Sequence, residues 1–323
     1  MHSLIRRAAL IVTGRSLFKF VISIGLVILI ARSVNIKEIG ARLMEVNISL
    51  ILVASVIMAG LAILPSMRWK ILIQHGGGAL NLGNAYKLVM IGNFFGQALP
   101  AVIGGDGARV WYVHKLGVAL AVAVNSILLD RLTALIALLL LAMVSMPWLW
   151  PIVPVNFALW AIGIILIAAA GGIILLIAAR SIPDAWNHWR MVRAGRRLLD
   201  SFQSLLGSKL KSFQVIGLSI AVHCLIAVFV YALAKAVHVP IGLSECLLLI
   251  PLVLLVSMIP VSIAGWGVRE GAMVVAFGFF HISPGDSMLV SVLFGIVVAL
   301  SSIPGLIFWM LMGRKFGMEK KII

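Results

Sequence analysis

Two eleven-residue segments hold the side chains best placed to do chemistry. Leu99-Pro-Ala-Val-Ile-Gly-Gly-Asp-Gly-Ala-Arg109 aligns with Ile259-Pro-Val-Ser-Ile-Ala-Gly-Trp-Gly-Val-Arg269, and the shared pattern is P-x-x-I-x-G-x-G-x-R. Pro100, Ile103, Gly105, Gly107 and Arg109 fall on Pro260, Ile263, Gly265, Gly267 and Arg269. Proline has no backbone N–H and glycine permits turns and close approach, so each segment should interrupt a helix and leave amide N–H groups open. Open amides beside a guanidinium fork suit an anion, above all a phosphate gripped at two oxygens. In the competing reading the same arginines snorkel to the interfaces or pair internally with Asp106 and Glu270.

Other polar groups are sparse. Asp130 and Arg131 are adjacent near the start of an apolar stretch, where buried charge is costly, so they should face a cavity or polar neighbours. Glu245 and Lys235 read as interfacial residues at helix ends. His223 has two readings, a proton relay or a hydrogen-bonded core histidine, and the second is the commoner role. Gly92-x-x-x-Gly96 lets helices approach closely without any ligand. Cys224 and Cys246 belong to no metal or redox motif and read as core residues. There is no G-x-x-x-x-G-K-[ST] and no H-E-x-x-H, so no cofactor is expected. The ten Asp and Glu residues lie mostly at helix ends or beside arginine, leaving no evident acid–base pair for catalysis.

These residues must be positioned within a bilayer. The 323 residues are 63% hydrophobic and 11% charged, with a mean hydropathy of +1.17, far from the balance of a soluble domain. Apolar runs of about 18 to 25 residues match the ~30 Å hydrocarbon core, which excludes a soluble enzyme and a β-barrel. The expected fold is an all-α polytopic membrane protein, with residues 1–323 as one transmembrane domain. Its net charge of +16 is spread over short segments between apolar runs, so it reads as topology and anionic-lipid contact and gives no nucleic-acid surface.

Spanning helices are expected near 16–34, 48–66, 120–146, 155–179, 212–237 and 287–312. Regions 86–117 and 244–283 are apolar but interrupted. As re-entrant hairpins or pairs of short broken helices they give six spans, and as double crossings eight. The linker 180–211 holds Arg180, Arg190, Arg193, Arg196, Arg197, Lys209 and Lys211 against Asp184 and Asp200, which predicts a cytoplasmic loop. Arg6, Arg7, Arg15 and Lys19 at one end and Arg314, Lys315, Lys320 and Lys321 at the other put both termini on that side of the inner membrane. The uncharged loops 146–156 and 238–243 should face outward. The basic N-terminal stretch lacks a small-residue cleavage site and reads as a retained first helix. In the linker, Trp189, Val192, Leu199, Phe202 and Leu206 recur every three to seven residues between charges, as in a helix on the cytoplasmic interface; the alternative is a solvated connector.

The two motifs lie about 160 residues apart, near half the chain, and the same offset carries 48–66 onto 212–237 and 120–146 onto 287–312. Two repeats follow, about 16–146 and 155–312, each with three spans and one broken hairpin. An odd number of crossings inverts the second relative to the first. Paired Gly/Pro interruptions at matching positions of inverted repeats point to a midplane binding site.

The combination also resembles a known family. Arg68-Trp69 after the second helix, Asn93, Leu99-Pro100, Gly104-Gly105-Asp106-x-x-Arg109, Asp130-Arg131 and Pro260-x-Ser262-x-x-Gly265-x-Gly267-x-Arg269-Glu270 resemble the flippase-like integral membrane family. That family includes the transmembrane region of lysylphosphatidylglycerol synthases and hopanoid-associated proteins. The resemblance covers nearly the whole chain and implies movement of a polar or anionic lipid between leaflets. It adds Arg68, Asn93 and Ser262 to the candidate substrate-binding set. Two departures stand out: Asp130 replaces the glutamate common before the arginine, and the chain ends soon after its last helix, without a cytosolic aminoacyl-transferase domain. Translocation is therefore expected rather than synthesis. The rivals are a membrane subunit of a lipid-modifying transferase, with its partner enzyme on another chain, and a scaffold of a lipid or cell-envelope synthesis complex. Oligomeric state stays open.

Overall fold

The first long helix outruns its expected end. In the computed structural model, which describes residues 40, 46, 48–98, 104–155, 163, 189–258 and 265–315, helices α1 (Ile48–Leu61) and α2 (Ile63–His75) are separated only by Ala62. Together they form a 28-residue apolar element. Sequence hydropathy ends this helix near Ser66 because Arg68 follows, yet the backbone stays helical through Arg68 because that charge has partners inside the protein (below). Arg68-Trp69 therefore lies within the helix, not after it.

The expected spans 16–34 and 155–179 fall outside the described residues, apart from Val155 and Gly163, as do Pro100, Pro260, Ser262 and the terminal basic residues up to Lys19 and from Lys320. Among the described residues the chain is all helix, with no strand. The interrupted region 86–117 holds α3 (Leu82–Ala98) and α4 (Gly105–Lys115), with the first motif between and inside them. Helix α5 (Leu120–Leu149) follows, then α6 (Arg190–Gly207) in the linker and α7 (Lys209–Ala236). Region 244–283 likewise holds two helices, α8 (Leu243–Ser257) and α9 (Val268–Gly278), so both interrupted regions are pairs of short helices broken at the motif. Helices α10 (Pro284–Ser301) and α11 (Ile303–Lys315) complete the set. Pro284 at the first position and the Ser283 hydroxyl, which accepts from the Asp286 N–H at 3.1 Å, start α10.

Among the described residues, four elements are long and apolar enough to cross a membrane: Ile48–His75, Leu120–Leu149, Lys209–Ala236 and Pro284–Met312. The order long helix, two short helices, long helix occurs twice, each element starting about 160 residues after its counterpart. Hydroxyls inside these apolar elements are satisfied locally. Ser55, Ser66, Thr133, Ser145 and Ser219 each donate to the carbonyl four residues earlier, so none of these five hydroxyls need face lipid unpaired.

The helices group into two compact units, neither of which is a half of the chain. One takes its described residues from 48–61, 87–109 and 226–315, the other from 62–86 and 110–225. In the first, α10 packs on α1 and α9, and α9 packs on α8. Helix α11 crosses α3 at Gly305: a Cβ there would lie 2.6 Å from the Met90 carbonyl carbon, and the Phe95 and Trp309 rings meet edge to face at 5.6 Å beside it. Gly305→Ala is therefore expected to lower the thermal midpoint in detergent, by the 1–3 kcal/mol typical of overpacking and toward its upper end, since backbone cannot yield like a side chain (about 2–3 kcal/mol). Gly60→Ala, whose Cβ would meet nothing within 4 Å, should leave the midpoint unchanged. Equal effects would mean that this crossing is not tight.

In the second unit α2 packs on α5 and α5 on α6. Leu199, Phe202 and Leu205 of α6 bury themselves against Leu72, Leu129 and Val215. The apolar stripe of this basic helix is thus covered by protein along its second half, while Trp189 and Leu206 stay exposed. Sequence periodicity finds such a stripe but not what covers it.

Candidate functional site

The second motif winds tightly before its helix. Gly265 and Gly267 have φ of 79° and 85°, left-handed values that a side chain resists, and Gly267 caps α9. That turn sets Arg269 and Glu270 in the first turn of α9, both buried. The Glu270 Oε2 accepts the Gly267 N–H at 2.5 Å. Its Oε1 accepts from Arg269 Nη2 at 2.5 Å, from Arg269 Nε at 3.2 Å and from the Ser291 hydroxyl at 3.1 Å. Arg269 Nε also lies 3.2 Å from Ser291 Oγ. The guanidinium carbon sits 4.8 Å from the Trp266 ring centre and 5.5 Å from that of Phe294, so aromatic faces enclose the cation. Gly295 makes room, since a Cβ there would strike both Arg269 and Trp266.

The first motif is built differently. Gly105 and Gly107 lie inside α4, not in a left-handed turn. Gly105 is buried where α4 crosses α3: its missing Cβ would fall 3.2 Å from the Gly92 carbonyl carbon and 3.4 Å from the Gly96 nitrogen. Arg109 is buried with its stem laid over Gly92, whose own Cβ would be 2.7 Å from Arg109 Cδ. Its Nη1 lies 3.5 Å from Oδ1 of the half-buried Asp106. Gly92 thus serves the close approach the spacing suggests and also seats the arginine, whereas a Cβ at Gly96 would meet nothing within 4 Å. Asn93 and Gly107 are exposed on α3 and α4.

Both motif arginines therefore pair with carboxylates, as the competing reading has it, and the Gly267 amide is taken by Glu270 rather than left open. What the arrangement offers an anion is two buried guanidiniums in the first halves of two short helices, within one compact unit.

The other unit holds a separate charge pair. Arg68 Nε donates to Asp130 Oδ1 at 2.7 Å and Arg68 Nη1 to the Ser219 hydroxyl at 2.9 Å, tying α2, α5 and α7 together. Trp69 Nε1 donates to Ser126 Oγ at 3.0 Å beside it. Arg131, one residue on, is exposed, so the adjacent charges of α5 face different surroundings. Asp130 and Arg131 fall well inside a 30-residue helix rather than near its start. His223 is buried, with Nε2 3.3 Å from the Ala134 carbonyl. Glu245 and Lys235 occupy the first turn of α8 and the last of α7, as expected. Among the described residues no three His, Cys, Asp or Glu side chains group to hold a metal.

Residues 16–305 match the lysylphosphatidylglycerol synthase transmembrane region, 290 of the 323 residues and all of the charge pairs above. The chain belongs to that family. This family member is also similar to the UPF0104 membrane protein MJ1595 of Methanocaldococcus jannaschii, 23% identical over 333 residues that cover 95% of this chain and 97% of the relative. Its family is one of membrane proteins, in keeping with its apolar helices.

Sequence reasoning on this family member missed Ser219, Ser291, Trp266, Phe294 and Gly295. A signal existed for two of them. Ser287, Ser291 and Gly295 recur every four residues along α10, a small-residue stripe that admits close packing, and here it admits an arginine and its aromatic cover. Ser219 had no such mark.

Proposed function

We propose that this protein moves a polar or anionic lipid between the leaflets of the inner membrane, without catalysing a chemical step. The observation that carries the reading is the pair of buried arginines, Arg109 and Arg269, in the first halves of short helices that interrupt the apolar chain. Buried guanidiniums in a bilayer are costly and are retained where they handle charge. A headgroup phosphate bound there would leave its acyl or prenyl chains in the lipid. The twofold recurrence of element order supports two inverted repeats, with both termini and α6 on the cytoplasmic side and access from each leaflet in turn.

Leaflet exchange of headgroup-labelled anionic lipid in proteoliposomes, read with a membrane-impermeant quencher, tests this. Arg109→Ala is the informative single variant, because the Asp106 side chain is 16% exposed against 1% for Glu270, so stranding it should cost the fold less than Arg269→Ala. Exchange by wild type that falls about tenfold or more in Arg109→Ala supports the reading, a loss on the scale of one charge-assisted interaction. Equal exchange by the two overturns it. If wild-type exchange is absent for every lipid in the panel, the family relation favours a membrane subunit for a lipid-modifying enzyme on another chain, or a scaffold for such an enzyme.

A further inference from the structure

We infer that the Glu270 carboxylate is an internal stand-in for a phosphate, occupying the oxyanion site of the second motif until a headgroup displaces it. The inference rests on the lipid-translocation reading and adds how its second site is regulated. Four donors converge on this one side chain: the Gly267 amide, two nitrogens of Arg269 and the Ser291 hydroxyl. They come from three settings, a left-handed turn, the first turn of α9 and the face of α10, and all are buried. A backbone N–H, a guanidinium fork and a hydroxyl closing on two oxygens are the donor set a tetrahedral phosphate takes.

The first motif shows what is special here. Position by position, Trp266 stands where the first motif has Asp106, and Glu270 where it has Val110. The acid has moved from three residues before the arginine to one after it, and an aromatic ring fills the place it vacated. Arg109 lies 3.5 Å from an Asp106 side chain that is 16% exposed, against 1% for Glu270. Arg269 is enclosed by Trp266, Phe294 and Glu270, so an incoming anion must replace Glu270 to reach it. Arg269 is thus held closed by the chain's own carboxylate and rings.

The test uses the full chain in detergent with two probes, a short-chain phosphatidic acid and inorganic phosphate, and reads binding by ligand-dependent thermal shift. Glu270→Gln keeps the shape and removes the competing charge. It should bind phosphatidic acid about tenfold or more tightly than wild type, the scale of losing one charge-assisted competitor. The gain should vanish in Arg269→Gln/Glu270→Gln. Glu270→Asp, too short to span from Gly267 to Ser291, should fall between and serves if Glu270→Gln does not fold. Phosphatidic acid binding that millimolar phosphate does not compete away assigns the site to a lipid headgroup, and tightening for inorganic phosphate alone assigns it to the free ion. A folded Glu270→Gln or Glu270→Asp protein that binds neither probe better than wild type overturns the inference. Tighter binding without leaflet exchange would keep this site and refute translocation; exchange with unaltered binding would do the reverse.

Discussion

Arg269→Ala should be the most destabilising of the single substitutions in the motifs. Glu270 is only 1% exposed, and without the guanidinium its carboxylate would stay buried with the Gly267 amide and the Ser291 hydroxyl as its remaining partners. Breaking a buried pair from one side costs about 3–5 kcal/mol, because the surviving charge has lost its counter-ion but not its desolvation. An unfolded state still embedded in lipid or detergent finds some of the same partners, which argues for the lower end of that range. The thermal midpoint should drop by on the order of 10 °C. Arg269→Gln/Glu270→Gln, which buries no net charge, should recover most of that loss. If the double variant is as unstable as Arg269→Ala, the aromatic packing of the arginine and not its charge holds this region together.

The Arg68–Asp130 pair should show strong coupling in a double-mutant cycle. Both side chains are buried, 6% and 4% exposed, and Arg68 also holds Ser219, so three long helices meet at one cation. Arg68→Met strands the carboxylate and Asp130→Leu strands the guanidinium, each at about 3 kcal/mol or more, whereas the double variant replaces two charges by apolar groups and should cost less than either single change. Arg68→Lys should fail to rescue, since one ammonium cannot reach Asp130 and Ser219 with the geometry of Nε and Nη1. Additive effects would show that the pair is not a cross-link between these helices.

How far the sequence could be read depends on the distance over which each signal acts. Helix length follows from apolar run length, so α5, α7 and the α10–α11 element match their expected ranges within a few residues. The error at α2 has a tertiary cause: Arg68 ends an apolar run in one dimension, but a carboxylate on α5, 62 residues away, lets the helix continue. The motifs were visible because Pro and Gly leave local marks, and the Arg–acid pairing was one of the two readings their spacing allowed. Their unequal conformation was not visible, since identical glycine spacing gives α-helix at Gly107 and a left-handed turn at Gly267. The surroundings of the two motifs differ as well: Gly105 lies against Gly92 in the first, while Arg269 in the second meets the Ser291–Gly295 face. Likewise the amphipathic stripe of α6 read as a face for the membrane interface, and only packing shows that Leu72, Leu129 and Val215 cover Phe202 and Leu205.

The central claim is that the motif arginines carry lipid headgroups across the bilayer, and it is best tested on protein whose fold is not in question. Wild type and Arg109→Ala/Arg269→Gln/Glu270→Gln, the latter free of a stranded Glu270 carboxylate, should be reconstituted side by side with labelled anionic lipids, with and without a proton gradient. Protein-dependent leaflet exchange by wild type, lost in a triple variant that retains its thermal transition, is the predicted result. Undiminished exchange by the folded triple variant would contradict it.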